Sequence, residues 1–154
     1  MDRFDRAILV ELQRDSSRSI AELAQATGVS ASACHRRMRA LEKSGVIAGY
    51  AAYLDPEKLG LAAEIFVEIT LTSQSREAMD RFEAAVREFD DILECRLMSG
   101  AADYMLRVAA ESLKHYDAIH RDCLARLPGV SSMRSSFTLR PIKRMRGYPV
   151  RAAP

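Results

Sequence analysis

The stretch from Cys34 to Arg39, which reads CHRRMR, places three arginines and a histidine within five positions. Side chains of this kind bind DNA phosphates, and an arginine can read a guanine in the major groove through two hydrogen bonds. A run of positive charge is also typical of a helix face that contacts only solvent. The elements that carry this stretch therefore decide between the two interpretations.

Three helices are predicted around the stretch. Apolar side chains recur at helical spacing from Phe4 onwards, which predicts the first helix. The second begins with a capping box formed by Ser19 and Glu22. The third follows Ser30 as its N-cap and ends before Gly45. Because only a short turn separates the second and third helices, the pattern is typical of a helix-turn-helix.

The third helix is predicted to have two different faces. Cys34, Met38 and Leu41 form an apolar stripe at helical spacing. The first two turns hold no carboxylate, and the helix N-terminus adds free N–H groups that suit a phosphate. On the second helix of a helix-turn-helix, such charge favours DNA over a solvated face. The predicted DNA-binding residues are Ser30, Ser32, His35, Arg36, Arg37, Arg39 and Lys43, with Arg37 on the flank.

The rest of the chain alternates strands and helices. Residues 46–53 predict a short strand, and the order after them reads β-α-β-β-α-β. The economical arrangement is a four-stranded antiparallel sheet with two helices on one face. The uncovered sheet face predicts at least a dimer.

The predicted fold class is α+β, with two domains of different type. An N-terminal three-helix, winged-helix-like helix-turn-helix domain precedes a C-terminal ferredoxin-like βαββαβ domain. The predicted segments are residues 1–48 for the helix-turn-helix domain, 49–61 for a strand-containing linker, 62–143 for the ferredoxin-like domain and 144–154 for a basic tail.

Composition and charge narrow the class of protein. The 154 residues carry a net charge of +2, with 48% hydrophobic and 29% charged residues, as in ordinary globular proteins. Residues 51–139 hold ten Lys or Arg against fifteen Asp or Glu, so this part is not a general nucleic-acid binder. Residues 140–154 hold five basic and no acidic residues, which suits either contact with the DNA backbone or a solubilising end.

No apolar run is long enough to cross a membrane, and three cysteines without paired spacing indicate a reducing compartment, so we expect a cytoplasmic protein.

Two other classes of function, a metal sensor and an enzyme, have less support in the sequence. A metal sensor needs converging ligands, but Cys34 and His35 point to different sides of a helix, and His120 and Cys123 supply two ligands at most. An enzyme needs a phosphate-cradling loop, a nucleophile elbow or paired carboxylates, and the sequence has none of these patterns. We therefore expect no catalytic residue, no metal and no cofactor.

Three separated segments of the chain are similar to one family of regulators. They are LAQATGVSASACHRRMRALEKSGVIAGYAAYLDPEKLG, LECRLMSGAADYMLRV and LPGVSSMRSSFTLRPIK. In this order they resemble the leucine-responsive, or Lrp/AsnC, regulators, and the resemblance runs from Phe4 to Lys143. It implies sequence-specific binding of double-stranded DNA, dimers that assemble into octamers, an amino-acid effector and a place at the nucleoid. The alternative is an amino-acid-binding module without specific DNA affinity.

The resemblance also implies an effector loop, which in this family typically reads Gly-Asp-aromatic-Asp-Tyr. Ala101 and Ala102 replace a carboxylate and an aromatic here, which favours an apolar or bulky amino acid over a basic one. On physical grounds we expect the Asp103 carboxylate to pair with the ammonium group of the ligand, and loop N–H groups to bind its carboxylate. The implied effector-binding residues are Ser99, Gly100, Ala101, Ala102, Asp103, Tyr104, Ser135, Ser136 and Thr138.

Overall fold

The computed structural model describes residues 1–145 and 147–151, which form two compact units. The first unit comprises residues 1–53 together with the chain from 143 onwards, and the second comprises residues 54–142. The nine main elements are α1 (Arg3–Arg14), α2 (Ile20–Thr27), α3 (Ala31–Lys43), β1 (Ala63–Leu71), α4 (Arg76–Val86), β2 (Ile92–Leu97), β3 (Tyr104–Ala110), α5 (Leu113–Asp122) and β4 (Val130–Phe137).

The first unit is built on α1, α2 and α3, whose apolar stripes meet in one small core. Ile8, Leu23 and Cys34 contribute one fully buried side chain from each helix. The predicted capping box of α2 is confirmed, because Ser19 accepts from the Glu22 N–H and the Glu22 carboxylate accepts from the Ser19 N–H. The turn between α2 and α3 is three residues long, so the helix-turn-helix prediction is confirmed.

The second unit is a four-stranded antiparallel sheet in the order β2-β3-β1-β4, with α4 and α5 on one face. Alternate β1 side chains, among them Ile65, Val67 and Ile69, are fully buried in the core that both helices cover. This is the split βαβ arrangement that the sequence predicts. Helix α5 is followed by a 3-10 turn over Leu124–Arg126.

The strand predicted within residues 46–53 is wrong for the described chain, which has no strand there. A strand needs a neighbour that takes up its N–H and C=O groups. The N–H of Ile47 instead donates to the Leu41 carbonyl at the end of α3, 3.2 Å away. Tyr50 contacts α3 through its side chain, because its hydroxyl donates to the Glu42 carboxylate at 3.1 Å. The remaining boundaries of the four predicted segments stay a prediction.

None of the helices in the described residues has the length and apolarity that a membrane-spanning helix needs.

Candidate DNA interface and ligand loop

The exposed face of α3 carries most of the residues predicted to bind DNA. Ser30 caps the helix through a bond from the Ala33 N–H, and its hydroxyl lies 3.2 Å from that of Ser32. His35, Arg36, Arg39 and Lys43 follow along the same exposed side. Cys34 and Leu41 are buried on the opposite side, so the core anchors the helix and leaves this face free.

The cations of α3 differ in whether a carboxylate already neutralises them. Arg39 lies 3.2 Å from Glu42, a pair on the surface that contributes little. Within the described part of the chain, Arg36 and Lys43 form no ion pair. Unpaired positive charges on an exposed helix face are available to phosphates and base edges.

Arg37 is held inside the first unit, unlike the other α3 arginines. Its guanidinium donates to Asp2 at 2.7 Å and to Asp5 at 2.8 Å, and it lies over the Phe4 ring. Both carboxylates raise the pKa of Arg37, with Asp5 the larger cause. The prediction that grouped Arg37 with the DNA-binding residues missed these partners, because Asp2 and Asp5 lie more than thirty positions away in sequence. Arg37 braces α3 against the start of α1.

The C-terminal tail returns to the first unit. The Gln13 side-chain NH₂ group donates to the Tyr148 backbone carbonyl at 3.0 Å. The Tyr148 backbone N–H donates in return to the Gln13 side-chain oxygen, Oε1, at 2.5 Å. Gln13 therefore pairs with the tail backbone as a neighbouring strand would. The sequence gives no hint of this pair, which joins residues 135 positions apart.

The loop between β2 and β3, residues 98–103, holds most of the residues predicted to bind an effector. Ser99, Gly100 and Ala101 are exposed, Ala102 is half-buried and Asp103 is buried. The exposed part can offer backbone groups to a small molecule.

Asp103 has protein partners for both carboxylate oxygens. One oxygen accepts from the Leu71 N–H at 2.7 Å, and the other accepts from the Gln74 side-chain amide at 2.6 Å. From the sequence we expect this carboxylate to pair with the ammonium group of a ligand. The structure adds two protein donors that the sequence does not predict. Leu71 and Gln74 lie about thirty residues upstream, and sequence reasoning missed them.

Tyr104 also points into the protein. The residue is 1% exposed, and its ring packs on Phe82 with ring centroids 4.6 Å apart. Its hydroxyl donates to Glu83 at 2.9 Å. Burial, and next the hydrogen bond to Glu83, raise the pKa of Tyr104. Tyr104 thus supports the loop from the core.

The polar residues predicted on the last strand divide between the two sheet faces. Ser135 lies on the helix-covered face, where its hydroxyl is 2.6 Å from that of Tyr116. Ser136 is exposed and pairs with Phe66 across the ladder. Since successive strand residues point to opposite faces, the Ser135 and Ser136 side chains lie on opposite sides of the sheet, and their part in effector binding stays a prediction. The Thr138 N–H donates to the Glu64 carbonyl just beyond β4.

The face of the sheet away from the helices is partly apolar and partly ionic. Phe66 remains 38% exposed on it. Arg107 pairs with Glu64, and Arg134 pairs with Glu68 at 2.5 Å, so ion pairs lie along both neighbours of β1.

The cysteines are buried or half-buried thiols. Burial raises the pKa of Cys95 and of Cys123 to about 11, with Glu83 and Asp91 adding to the effect. Among the residues that the structure describes, no three His, Cys, Asp or Glu side chains converge as metal ligands would.

The two units match two family models in the same order. Residues 1–42 match the AsnC-type helix-turn-helix domain, and residues 64–148 match the Lrp/AsnC ligand binding domain. Together with the geometry above, they define a helix-turn-helix transcriptional regulator with a separate ligand-binding domain.

Relatives over nearly the whole chain give the same result. The leucine-responsive regulatory protein of Salmonella typhimurium is 39% identical over 143 residues, which cover 93% of this chain and 87% of that protein. A crystal structure of an AsnC family transcriptional regulator from Agrobacterium tumefaciens superposes with a TM-score of 0.93 at 38% identity, covering 97% of each chain. The L-Met complex of a transcriptional regulator from Neisseria meningitidis has a TM-score of 0.92 at 31% identity, again over 97% of each chain. The chain belongs to the Lrp/AsnC family of transcriptional regulators, and its relatives are regulators rather than enzymes.

Proposed function

We propose that this regulator binds a specific DNA sequence through the exposed face of α3. The observation that carries this proposal is the charge of Arg36 and Lys43, which form no ion pair among the described residues and lie on the second helix of a helix-turn-helix. Ser30, Ser32, His35 and Arg39 complete the proposed contact surface. Arg37 acts in this proposal as a positioning residue, because its charge is taken up by Asp2 and Asp5.

The test of DNA binding is a fluorescence-anisotropy titration. The probe is the DNA upstream of the protein's own gene, and the control is a scrambled duplex of the same length and composition. A preference for the native duplex, with affinity that falls as salt rises, supports the proposal. Equal affinity for both duplexes would reduce α3 to a non-specific basic face.

The proposed effector is an apolar α-amino acid that binds at the exposed part of the 98–103 loop. Two observations support it: Ala101 and Ala102 present small apolar side chains, and the Neisseria meningitidis neighbour was solved as an L-Met complex. The amino acid would change assembly or DNA affinity. The same titration repeated with L-methionine, and with L-lysine as the control, tests this choice.

The proposed assembly is a dimer formed through the open sheet face, with dimers assembling further into an octamer. The exposed Phe66 with its flanking ion pairs supports the dimer, since an apolar centre with a polar rim suits a pairing surface. The octamer is supported by the family resemblance alone. Light scattering after gel filtration, with and without L-methionine, measures both. We propose that the protein works in the cytoplasm at the nucleoid, where its DNA lies.

A further inference from the structure

The buried carboxylate of Asp103 joins three segments of the second unit. Its own N–H donates to the Ile69 carbonyl at 2.9 Å, and its carbonyl accepts from the Met98 N–H at 2.8 Å. Its side chain accepts from the Leu71 N–H and from the Gln74 amide. The end of β1, the segment before α4 and the 98–103 loop therefore meet at one residue.

The bond to Leu71 continues the sheet where the backbone ladder stops. The pairing of β1 with β3 ends at Ile69 opposite Tyr104. Beyond this pair, the Leu71 N–H donates to the Asp103 carboxylate in place of a β3 backbone carbonyl. A buried N–H without an acceptor is costly, so this bond constrains where Asp103 lies.

The bond to Gln74 fixes the other carboxylate oxygen. A carboxylate only accepts, so the Gln74 amide must present its NH₂ group to Asp103. Gln74 directly precedes Ser75, the N-cap of α4. The segment before α4 is thereby joined to the 98–103 loop at Asp103, in addition to the bond from the end of β1.

We propose that Gln74 and Asp103 form a latch that positions the 98–103 loop for its amino-acid ligand, and that Asp103 does not itself bind the ligand ammonium. This inference rests on the proposed amino-acid effector. Gln74 is a positioning residue in this arrangement, acting through Asp103. The ammonium group is left to the exposed carbonyl groups of the loop.

The test changes which of the two side chains, at positions 74 and 103, donates the hydrogen bond and which accepts it. In Gln74→Glu, two carboxylates face each other, and the bond is lost. In Asp103→Asn, the new amide oxygen still accepts from Leu71, and the Gln74 amide turns over so that its oxygen accepts from the asparagine NH₂. In the double variant, the asparagine NH₂ donates to the new glutamate. Gln74→Glu alone therefore breaks the latch, and Asp103→Asn restores it.

The first readout is amide hydrogen exchange of the full-length protein, which needs no ligand. We expect Gln74→Glu to speed exchange at Met98 and Asp103 by about tenfold or more, because a part-buried, charge-assisted bond between the exposed Gln74 and the buried Asp103 carboxylate is lost. Asp103→Asn and the double variant should stay within about threefold of wild type. The amides of Val67 and Leu106, both in the core, report global folding and should not change. Unchanged exchange in Gln74→Glu, or a double variant as fast as Gln74→Glu, would overturn the latch.

The second readout is the affinity for L-methionine by calorimetry, beside DNA affinity by anisotropy. We expect Gln74→Glu to lose about tenfold or more in L-methionine affinity while its DNA affinity without ligand is kept, and the double variant to recover. Equal L-methionine affinity in wild type and Gln74→Glu would refute the role of the latch in ligand binding. A loss of about a hundredfold in Asp103→Asn with slow loop exchange would assign the ammonium to Asp103. If wild type binds no amino acid, the proposed effector fails, while hydrogen exchange still decides whether the latch exists.

Discussion

Arg36 and Arg37 are adjacent, carry the same charge and lie on the same helix, yet the structure predicts opposite consequences for their loss. Arg36 is exposed, and within the described residues no carboxylate pairs with it. Arg37 donates to Asp2 and Asp5. The perturbation is therefore a matched pair of variants, Arg36→Gln and Arg37→Gln, which remove one positive charge each from neighbouring positions.

The expected loss of DNA affinity depends on whether a carboxylate of the protein already pairs with the arginine. An arginine that reads a base edge contributes about 1–3 kcal/mol per contact, so Arg36→Gln should weaken binding to the native duplex roughly 5- to 150-fold for each helix bound. An arginine whose charge is already neutralised releases no phosphate counterion, so Arg37→Gln should leave the salt slope unchanged. Its effect should appear in the thermal midpoint of the first unit, which falls because α3 loses its brace to α1.

The assay combines anisotropy at several salt concentrations with thermal unfolding followed by circular dichroism. All titrations are run well below the lower midpoint, so that folded protein is compared with folded protein. The reasoning is refuted if Arg37→Gln weakens specific binding as much as Arg36→Gln does. It is refuted equally if neither variant changes affinity.

Three further outcomes follow from burial and charge. Phe66→Lys on the open sheet face should convert dimers to monomers in sedimentation velocity, whereas Leu113→Lys on α5, which is already 69% exposed, should not. Leu23→Ala empties a fully buried site and should lower the free energy of unfolding by about 2–5 kcal/mol in urea titrations; a value within experimental error of wild type would contradict the core assignment. Cys95 and Cys123 ionise near pH 11 when folded and near 9 when unfolded, so the folded state should lose stability as pH rises from about 9 towards 11. A thermal midpoint that stays constant over that range would contradict the burial of both thiols.

Local patterns predicted most of the fold. The capping box at Ser19, the N-cap at Ser30 and the apolar stripe of α3 depend on residues within about four positions of one another, and all appear in the structure. The alternating strands also set the order and the antiparallel sheet, because a single face of each strand could be buried.

Long-range polar contacts could not be predicted in the same way. The charge of Arg37 looked available because its sequence neighbours are basic or apolar, yet its partners lie at the start of the chain. Asp103 looked available because it lies in a polar loop, yet the end of a strand and a glutamine before the next helix take both oxygens. Ser135 and Ser136 are adjacent in sequence, yet the pleat of the strand places their side chains on opposite faces of the sheet. In each case the residue type is visible in the sequence, whereas its hydrogen-bond partner depends on strand register and packing between distant segments.

The return of the tail to α1 makes the DNA-binding unit discontinuous in sequence. The chain leaves this unit after Tyr53 and re-enters it at Lys143, so the ligand-binding unit is an insertion with two covalent connections to its host. A single proteolytic cut in residues 54–62 would leave both units tied together through the tail, and the fragment 1–53 alone would lack the backbone that Gln13 pairs with at Tyr148. The chain therefore connects the two units covalently at two places, once before β1 and once after β4.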